Sequence, residues 1–228
     1  IKSVLSQTYS VAEYIIIDGG SNDGTLDILS KYSNQIICHS EPDNGIYQAM
    51  NKGISLATGD YLNFLNADDY FYDDKVVEDI VCLIKDLPYD VIYGNTHLRD
   101  NQFTFNKSSL SIPTEPADLY TALITLQNFF FQGAIFFKAD IFDKIGNFSE
   151  QYKIASDYEF FLRLLQDSSL QITYFPRTIF SYYQGGVSSN VIRTLGEVFE
   201  IQNNIVVDQA ISNRDFDILK NYVNLLQE

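Results

Sequence analysis

The sequence predicts an α/β fold: a mostly parallel central sheet flanked by helices, followed by a helical C-terminal segment. Three observations predict it. Short apolar runs alternate with stretches of helical period through the first half of the chain. Several of those runs end on acids or amides, as strands do where they open into a binding loop. The 228 residues, 46% of them hydrophobic, are enough to bury one substantial core.

The elements follow in order. Ile1 to Leu5 reads as the inside of an amphipathic helix, and the first residue is not methionine, which points to a chain that begins inside a longer protein. Glu13 to Asp18 (EYIIID) is an apolar run closed by an acid, as expected of a buried parallel strand. Gly19 to Gly24 is a turn, and Thr25 to Tyr32 has apolar residues at helical spacing. Gln35 to His39 reads as a second strand and Gly45 to Ala57 as a helix with Ile46, Ala49, Met50, Ile54 and Ala57 on one side. Tyr61 to Leu65 is a third strand, Lys75 to Lys85 a helix and Asp90 to Gly94 a fourth strand.

The second half is less regular. Leu98 to Phe105 reads as a strand, Ser108 to Asp118 as a loop carrying Pro113 and Pro116, and Gln132 to Lys138 as a strand. Ile154 to Leu165 is a helix that opens with Ser156-Asp157. Gln171 to Tyr183 supplies one or two strands around Pro176, Gly185-Gly186 a turn, and the chain from Val191 one or two amphipathic helices. This divides the chain into a domain at 1–190, with a first half at 1–95 and a second at 96–190, and a helical extension at 191–228.

Charge narrows the function. A net charge of −15 argues against nucleic-acid binding, which needs a cationic face, and no basic membrane-binding helix is evident. No apolar run reaches the length of a membrane-spanning helix. Cys38 and Cys82 have neither metal spacing nor a disulfide pattern and read as free, reduced thiols of a cytoplasmic protein. His39 and His97 lack a metal-spaced partner and read as structural.

Four stretches carry candidate chemistry. In DYLNFLNADDY (60–70) an apolar run breaks into Asn66-Ala67-Asp68-Asp69. Adjacent carboxylates repel and lose solvation near a core, and a bound cation is the usual compensation. Hard oxygen ligands suit Mg²⁺ or Mn²⁺ beside a phosphate ester; the competing reading is a pair of turn acids, one capping the next helix. In IIIDGGSNDGT (15–25) Asp18 ends a strand in a loop suited to a nucleotide, while Asp23 fits a helix cap. EPDNGIYQAMNKG (41–53) is a turn leading into a helix, explained equally by ordinary strand–loop–helix packing. In IASDYEFFLRLL (154–165) Asp157 is either an N-terminal helix acid or a general base that takes a proton from a hydroxyl.

Together these stretches resemble the family 2 glycosyltransferases, with their GT-A, Rossmann-like fold, and are closest to bacterial members that build surface polysaccharides. The resemblance runs over about residues 1–190: SVLSQTY is similar to the family's first helix, IIIDGGSNDGT to its nucleotide loop, FLNADD to its Asp-x-Asp region, and residues 132–164 to its acceptor-side segment. It implies inverting transfer of a sugar from a nucleoside-diphosphate sugar to the hydroxyl of a saccharide or lipid-linked saccharide acceptor, in the cytoplasm or at the inner membrane face, with peripheral membrane contact at most. It further implies Mn²⁺ or Mg²⁺ on Asp69 with Asp68 beside it near the ribose or sugar, Asp157 as general base, and Asp18, Asp43 and Gly45 along the donor pocket. The chain departs from the family pattern in three places. Gly19 stands where many members have a second acid, Asn66 fills the first position of Asp-x-Asp, and the family's first strand precedes the helix at which this chain starts. Two other classes stand beside this reading: a sugar nucleotidyltransferase, and a catalytically inactive scaffold subunit of a polysaccharide assembly complex.

Overall fold

The structure is a computed structural model that describes residues 1–99, 113–125, 131–183 and 191–206. Its elements in chain order are α1 (Lys2–Leu5), β1 (Ile15–Asp18), α2 (Thr25–Ser30), β2 (Ile37–Ser40), α3 (Ile46–Leu56), β3 (Tyr61–Leu62), β4 (Tyr70–Phe71), α4 (Val76–Asp86), β5 (Val91–Arg99), α5 (Pro116–Ile124), a 3-10 turn (Gln132–Ala134), β6 (Ile135–Lys138), α6 (Ile141–Ile145), α7 (Ser156–Gln166), β7 (Ile172–Tyr183) and α8 (Val191–Val206).

The α/β class and the flanking helices are as the alternation implies, whereas the strand directions are more mixed. β1 and β2 form a parallel pair of their own; the other five strands form a sheet in the order β3-β6-β5-β7-β4. Within that sheet β5 and β7 run parallel, while β3–β6, β5–β6 and β4–β7 are antiparallel. The sequence pattern is silent on direction for a physical reason. β5 and β6 are buried on both faces, so they read as continuous apolar runs whichever way their neighbours point. Their side chains alternate between two cores. Val91, Tyr93, Ile135 and Phe137 face a cluster built with α5, α7 and α8. Ile92 and Phe136 face a second cluster built with Val4 of α1 and with Val76, Val77 and Ile80 of α4.

Several boundaries move. The strand expected over Tyr61–Leu65 ends at Leu62, because the Asn63 side chain donates to Gly133 O (3.0 Å) and Ile135 O (2.8 Å) where ladder pairing would continue. The runs expected as two strands at Asp90–Gly94 and Leu98–Phe105 are one strand through Arg99, bent by register shifts around Asn95; the remainder of the second lies outside the described residues. The loop expected over Ser108–Asp118 gives way to helix at Pro116, where proline suits a first helical turn because the missing N–H has no partner there. Gln132–Ala134 is a 3-10 turn ahead of a shorter strand. β4 was not foreseen, since two residues show no period. The Gly185-Gly186 turn and the chain beyond Val206 lie outside the described residues. Cys38 and Cys82 are free and exposed, and among the described residues no helix is long and apolar enough to cross a membrane.

Candidate active site

Asp18 closes β1 and is buried. Its Oδ2 accepts hydrogen bonds from Gly20 N (3.1 Å), Ser21 N (2.9 Å) and Ser40 Oγ at the end of β2 (2.6 Å). These bonds, led by those from Ser21 and Ser40, pull its pKa down to about 2. The carboxylate thus ties together the carboxyl ends of the parallel pair. Further along the loop, Asp23 Oδ1 accepts from Thr25 N and Thr25 Oγ1, which starts α2, while Gly24 itself occupies the cap position.

Asp43 and Gly45 come to the same loop. A Cβ on Gly19 would sit 2.7 Å from Asp43 Oδ2, so the side chain missing at position 19 is what lets the Asp43 carboxylate close in. Asp43 Oδ1 accepts from Gly45 N (2.9 Å), and Gly45 has a φ of +131°, backbone that a side chain would strain. From there α3 runs inward. Asn51 exchanges two hydrogen bonds with the Phe148 backbone, and Lys52 pairs with Glu41. Tyr47, buried, donates from its hydroxyl to Ile154 O (2.6 Å) and lies 3.0 Å from Asp157 Oδ1.

Asp68 and Asp69 sit in the turn between β3 and β4. Asp69 Oδ1 accepts from Tyr183 N (3.0 Å), a contact that the pairing of Tyr70 with Ser181 brings into reach. Burial pushes its pKa up to about 6, opposed by the Tyr183 N–H and by Arg99, with Asp68 adding to the rise. Arg99 holds the turn from behind. It donates to Asp68 O (2.6 Å) and Ser181 Oγ (2.9 Å), and its guanidinium lies 4.3 Å from the centre of the Tyr70 ring. Gln132, also buried, approaches Asn66 Oδ1 at 3.4 Å, and its own Oε1 has no hydrogen-bond partner among the described residues.

The donor set of this turn fits a hard divalent cation of the open kind. Asp68 is exposed, and its carboxylate accepts no hydrogen bond from the described residues. No three His, Cys, Asp or Glu side chains among the described residues converge on one position, and a cation on Asp68 and Asp69 would have to complete its shell from other ligands, as Mg²⁺ does with substrate phosphates.

Asp157 is the second residue of α7, not its cap; that place belongs to Ala155. Oδ1 accepts from Tyr158 N (2.9 Å), and burial, only partly offset by Tyr158 N–H and the Tyr47 hydroxyl, raises its pKa to about 6. A carboxylate so placed can accept a proton near neutral pH. Among the described residues no hydrogen bond joins Asp157 directly to Asp18 or to the Asp68–Asp69 pair, but Tyr47 links it through α3 to the Asp43–Gly45 turn.

Sequence reading missed Tyr47, Arg99, Gln132 and Glu197. Tyr47 lay within a stretch already singled out, and Glu197 is an acid bordering the apolar side of a helix whose Val198 and Ile201 are buried. Gln132 likewise opened a stretch already singled out, whereas Arg99 carries no local signal, since only strand pairing brings it to the acidic turn.

Comparison with known proteins bears on the family and the fold. Residues 1–155 match Glycosyl transferase family 2. A PGL/p-HBAD biosynthesis glycosyltransferase of Mycobacterium bovis is 32% identical over 84% of this chain and 73% of its own. An uncharacterised glycosyltransferase of Haemophilus influenzae is 29% identical over 98% of this chain and 76% of its own. Among solved structures, S. aureus TarS 1–349 in complex with UDP-GlcNAc aligns with a TM-score of 0.70 at 18% identity, covering 98% of this chain and 66% of that one. The mannosyltransferase PcManGT from Pyrobaculum calidifontis, in complex with GDP-Man and Mn²⁺, aligns at 0.64 and 16% identity, covering 98% and 64%. This chain thus spans less than two thirds of either solved chain, and the likeness to them is one of fold, the GT-A type. With more than half of its length matched, and with the matched stretch holding the loop of Asp18 and the turn of Asp68 and Asp69, this chain belongs to glycosyl transferase family 2.

Proposed function

We propose that the chain is an inverting transferase that moves a sugar from a nucleoside-diphosphate sugar to an acceptor hydroxyl in the synthesis of a bacterial surface polysaccharide. One observation carries the reading: an open carboxylate pair at Asp68–Asp69 and a separate, partly buried carboxylate at Asp157 with a pKa raised to about 6. Inversion needs a base on the sugar face opposite the leaving group, which a carboxylate apart from the pair can provide. Asp157 takes the proton of the acceptor hydroxyl as its oxygen bonds to the anomeric carbon. The bond from that carbon to the diphosphate oxygen breaks, and the diphosphate leaves with the electron pair. Asp69 with Asp68 would hold Mn²⁺ or Mg²⁺, which would supply positive charge toward the diphosphate leaving group.

Asp18, Asp43 and Gly45 line the donor pocket. The Asp43 carboxylate, drawn in by the absence of a side chain at Gly19, stands in for the second acid that many family members carry there. The acceptor is a saccharide or lipid-linked saccharide met at the inner membrane face.

Calorimetric titration of UDP, GDP and dTDP, with and without Mn²⁺, tests the donor side. Metal-dependent binding of one nucleotide supports the reading and names the base. No binding by this chain or by one extended at its amino terminus turns it toward a scaffold subunit.

A further inference from the structure

The residues just ahead of Asp157 are gripped from two sides. From α3, the Tyr47 hydroxyl donates to Ile154 O (2.6 Å). From α8, the Glu197 carboxylate accepts from Ile154 N (2.7 Å) and Ala155 N (3.0 Å) through the single oxygen Oε2. Those two N–H groups belong to the cap residue of α7 and the residue before it, and backbone donors removed from water need an acceptor. α8 also reaches the next residue along. Gln202 donates to Tyr158 Oη (2.8 Å) and to Ile124 O (3.0 Å), and Val198 and Ile201 are buried against the same core as Phe160 and Leu162.

We infer that Glu197 is a positioning residue for the base: α8 is part of the catalytic unit, and its carboxylate fixes the backbone that aims Asp157 at the acceptor. The inference rests on the assignment of Asp157 as base. It also departs from the division of the chain at residue 191, since a separate extension would not supply the acceptor for the Ile154 and Ala155 N–H groups that lead into α7.

The charge of Glu197 has a second effect. Burial is the main cause of the raised pKa of Asp157; the Tyr47 hydroxyl from α3 opposes the rise and the negative charge of Glu197 from α8 adds a smaller part to it. Glutamine at 197 keeps an oxygen acceptor for the two N–H groups and removes the charge. Alanine removes both.

The test compares Glu197→Gln, Glu197→Ala and Asp157→Asn in the full chain, following kcat, donor KM and the pH–rate profile. The expected result is a split. Glu197→Ala lowers kcat roughly tenfold or more with donor KM within about twofold, as befits the loss of an aimed proton acceptor. Glu197→Gln restores most of kcat but moves the acidic limb of the profile to lower pH, because the base has lost a neighbouring negative charge. Where Glu197→Ala fails to fold, Glu197→Asp decides by the same kcat loss, because it keeps the charge and draws the acceptor back from the two N–H groups. Wild-type kcat in a folded Glu197→Ala or Glu197→Asp overturns the positioning role, while an unmoved limb in Glu197→Gln overturns only the charge effect. Wild-type turnover by Asp157→Asn overturns the base assignment instead, so the two failures are separate.

Discussion

Asp18 and Asp157 make an instructive pair. Each sits where the backbone passes from one element to the next, and each is largely surrounded by protein. Their carboxyl groups nevertheless shift in opposite directions, to about 2 and to about 6. The difference is a count of donors set against burial. Two backbone N–H groups and the Ser40 hydroxyl converge on Asp18 Oδ2, and they outweigh its desolvation. Asp157 receives Tyr158 N–H and a Tyr47 hydroxyl whose one proton is already given at 2.6 Å to Ile154 O, and burial prevails. The first site is a saturated clamp that holds a loop. The second is under-satisfied, which is the condition that the proposed role of Asp157 as base requires.

The sharpest way to break this contrast is Asp157→Asn. Turnover should fall roughly 10²- to 10⁴-fold, the usual worth of a general base, while calorimetry finds nucleotide binding unchanged. Stability should move the other way. A carboxyl group whose pKa is raised on folding costs stability above about pH 6, a cost that fades below its ordinary 3.8. The variant should therefore melt higher than wild type at pH 8, by an amount on the order of 1–3 kcal/mol, with the gain absent at pH 4. A lower melting temperature at pH 8 would contradict the under-satisfied carboxylate.

Asp18→Ala probes the clamp. It strands the Gly20 and Ser21 N–H groups and the Ser40 hydroxyl, and should cost roughly 1–3 kcal/mol in denaturant unfolding together with weaker donor binding. Here the pH sign reverses. A depressed pKa contributes stability that is complete above about 3.8 and is lost as pH falls through about 2, so wild type and variant should converge in strongly acidic solution.

Arg99→Met tests whether the acidic turn depends on its support. Without the bonds to Asp68 O and Ser181 Oγ, the turn should loosen and the Mn²⁺ concentration for half-maximal donor binding should rise about tenfold, with the base limb of the pH profile unmoved. Tyr47→Phe is the mildest change. Loss of one hydroxyl that serves Ile154 O and Asp157 should lower kcat about five-fold, near the worth of a single hydrogen bond, and leave nucleotide affinity as it was. Equal losses in both quantities would mean that Tyr47 supports the donor turn rather than the base.

Much of this molecule was legible in its sequence because the relevant physics is local. Apolar period identified β1, α3 and α7, and an acid at the end of an apolar run marked Asp18, Asp68 and Asp69 as neighbours of a binding face. Asp157 at the start of a helix was visible as a candidate with two meanings, cap or base. What local pattern does not contain is pairing. The antiparallel partners of β6, the two-residue β4 and the joining of two expected strands into β5 depend on residues far apart in the chain, and strands buried on both faces look alike in either direction. Only through that pairing do Tyr183 and Arg99 reach the acidic turn, and only through packing do Tyr47 and Glu197 reach the backbone ahead of Asp157. The sequence by itself determined which acids are available; the tertiary structure decided which one is saturated with donors and which is left under-satisfied, because the number of N–H and O–H groups around a carboxylate is set by contacts that no stretch of chain encodes alone.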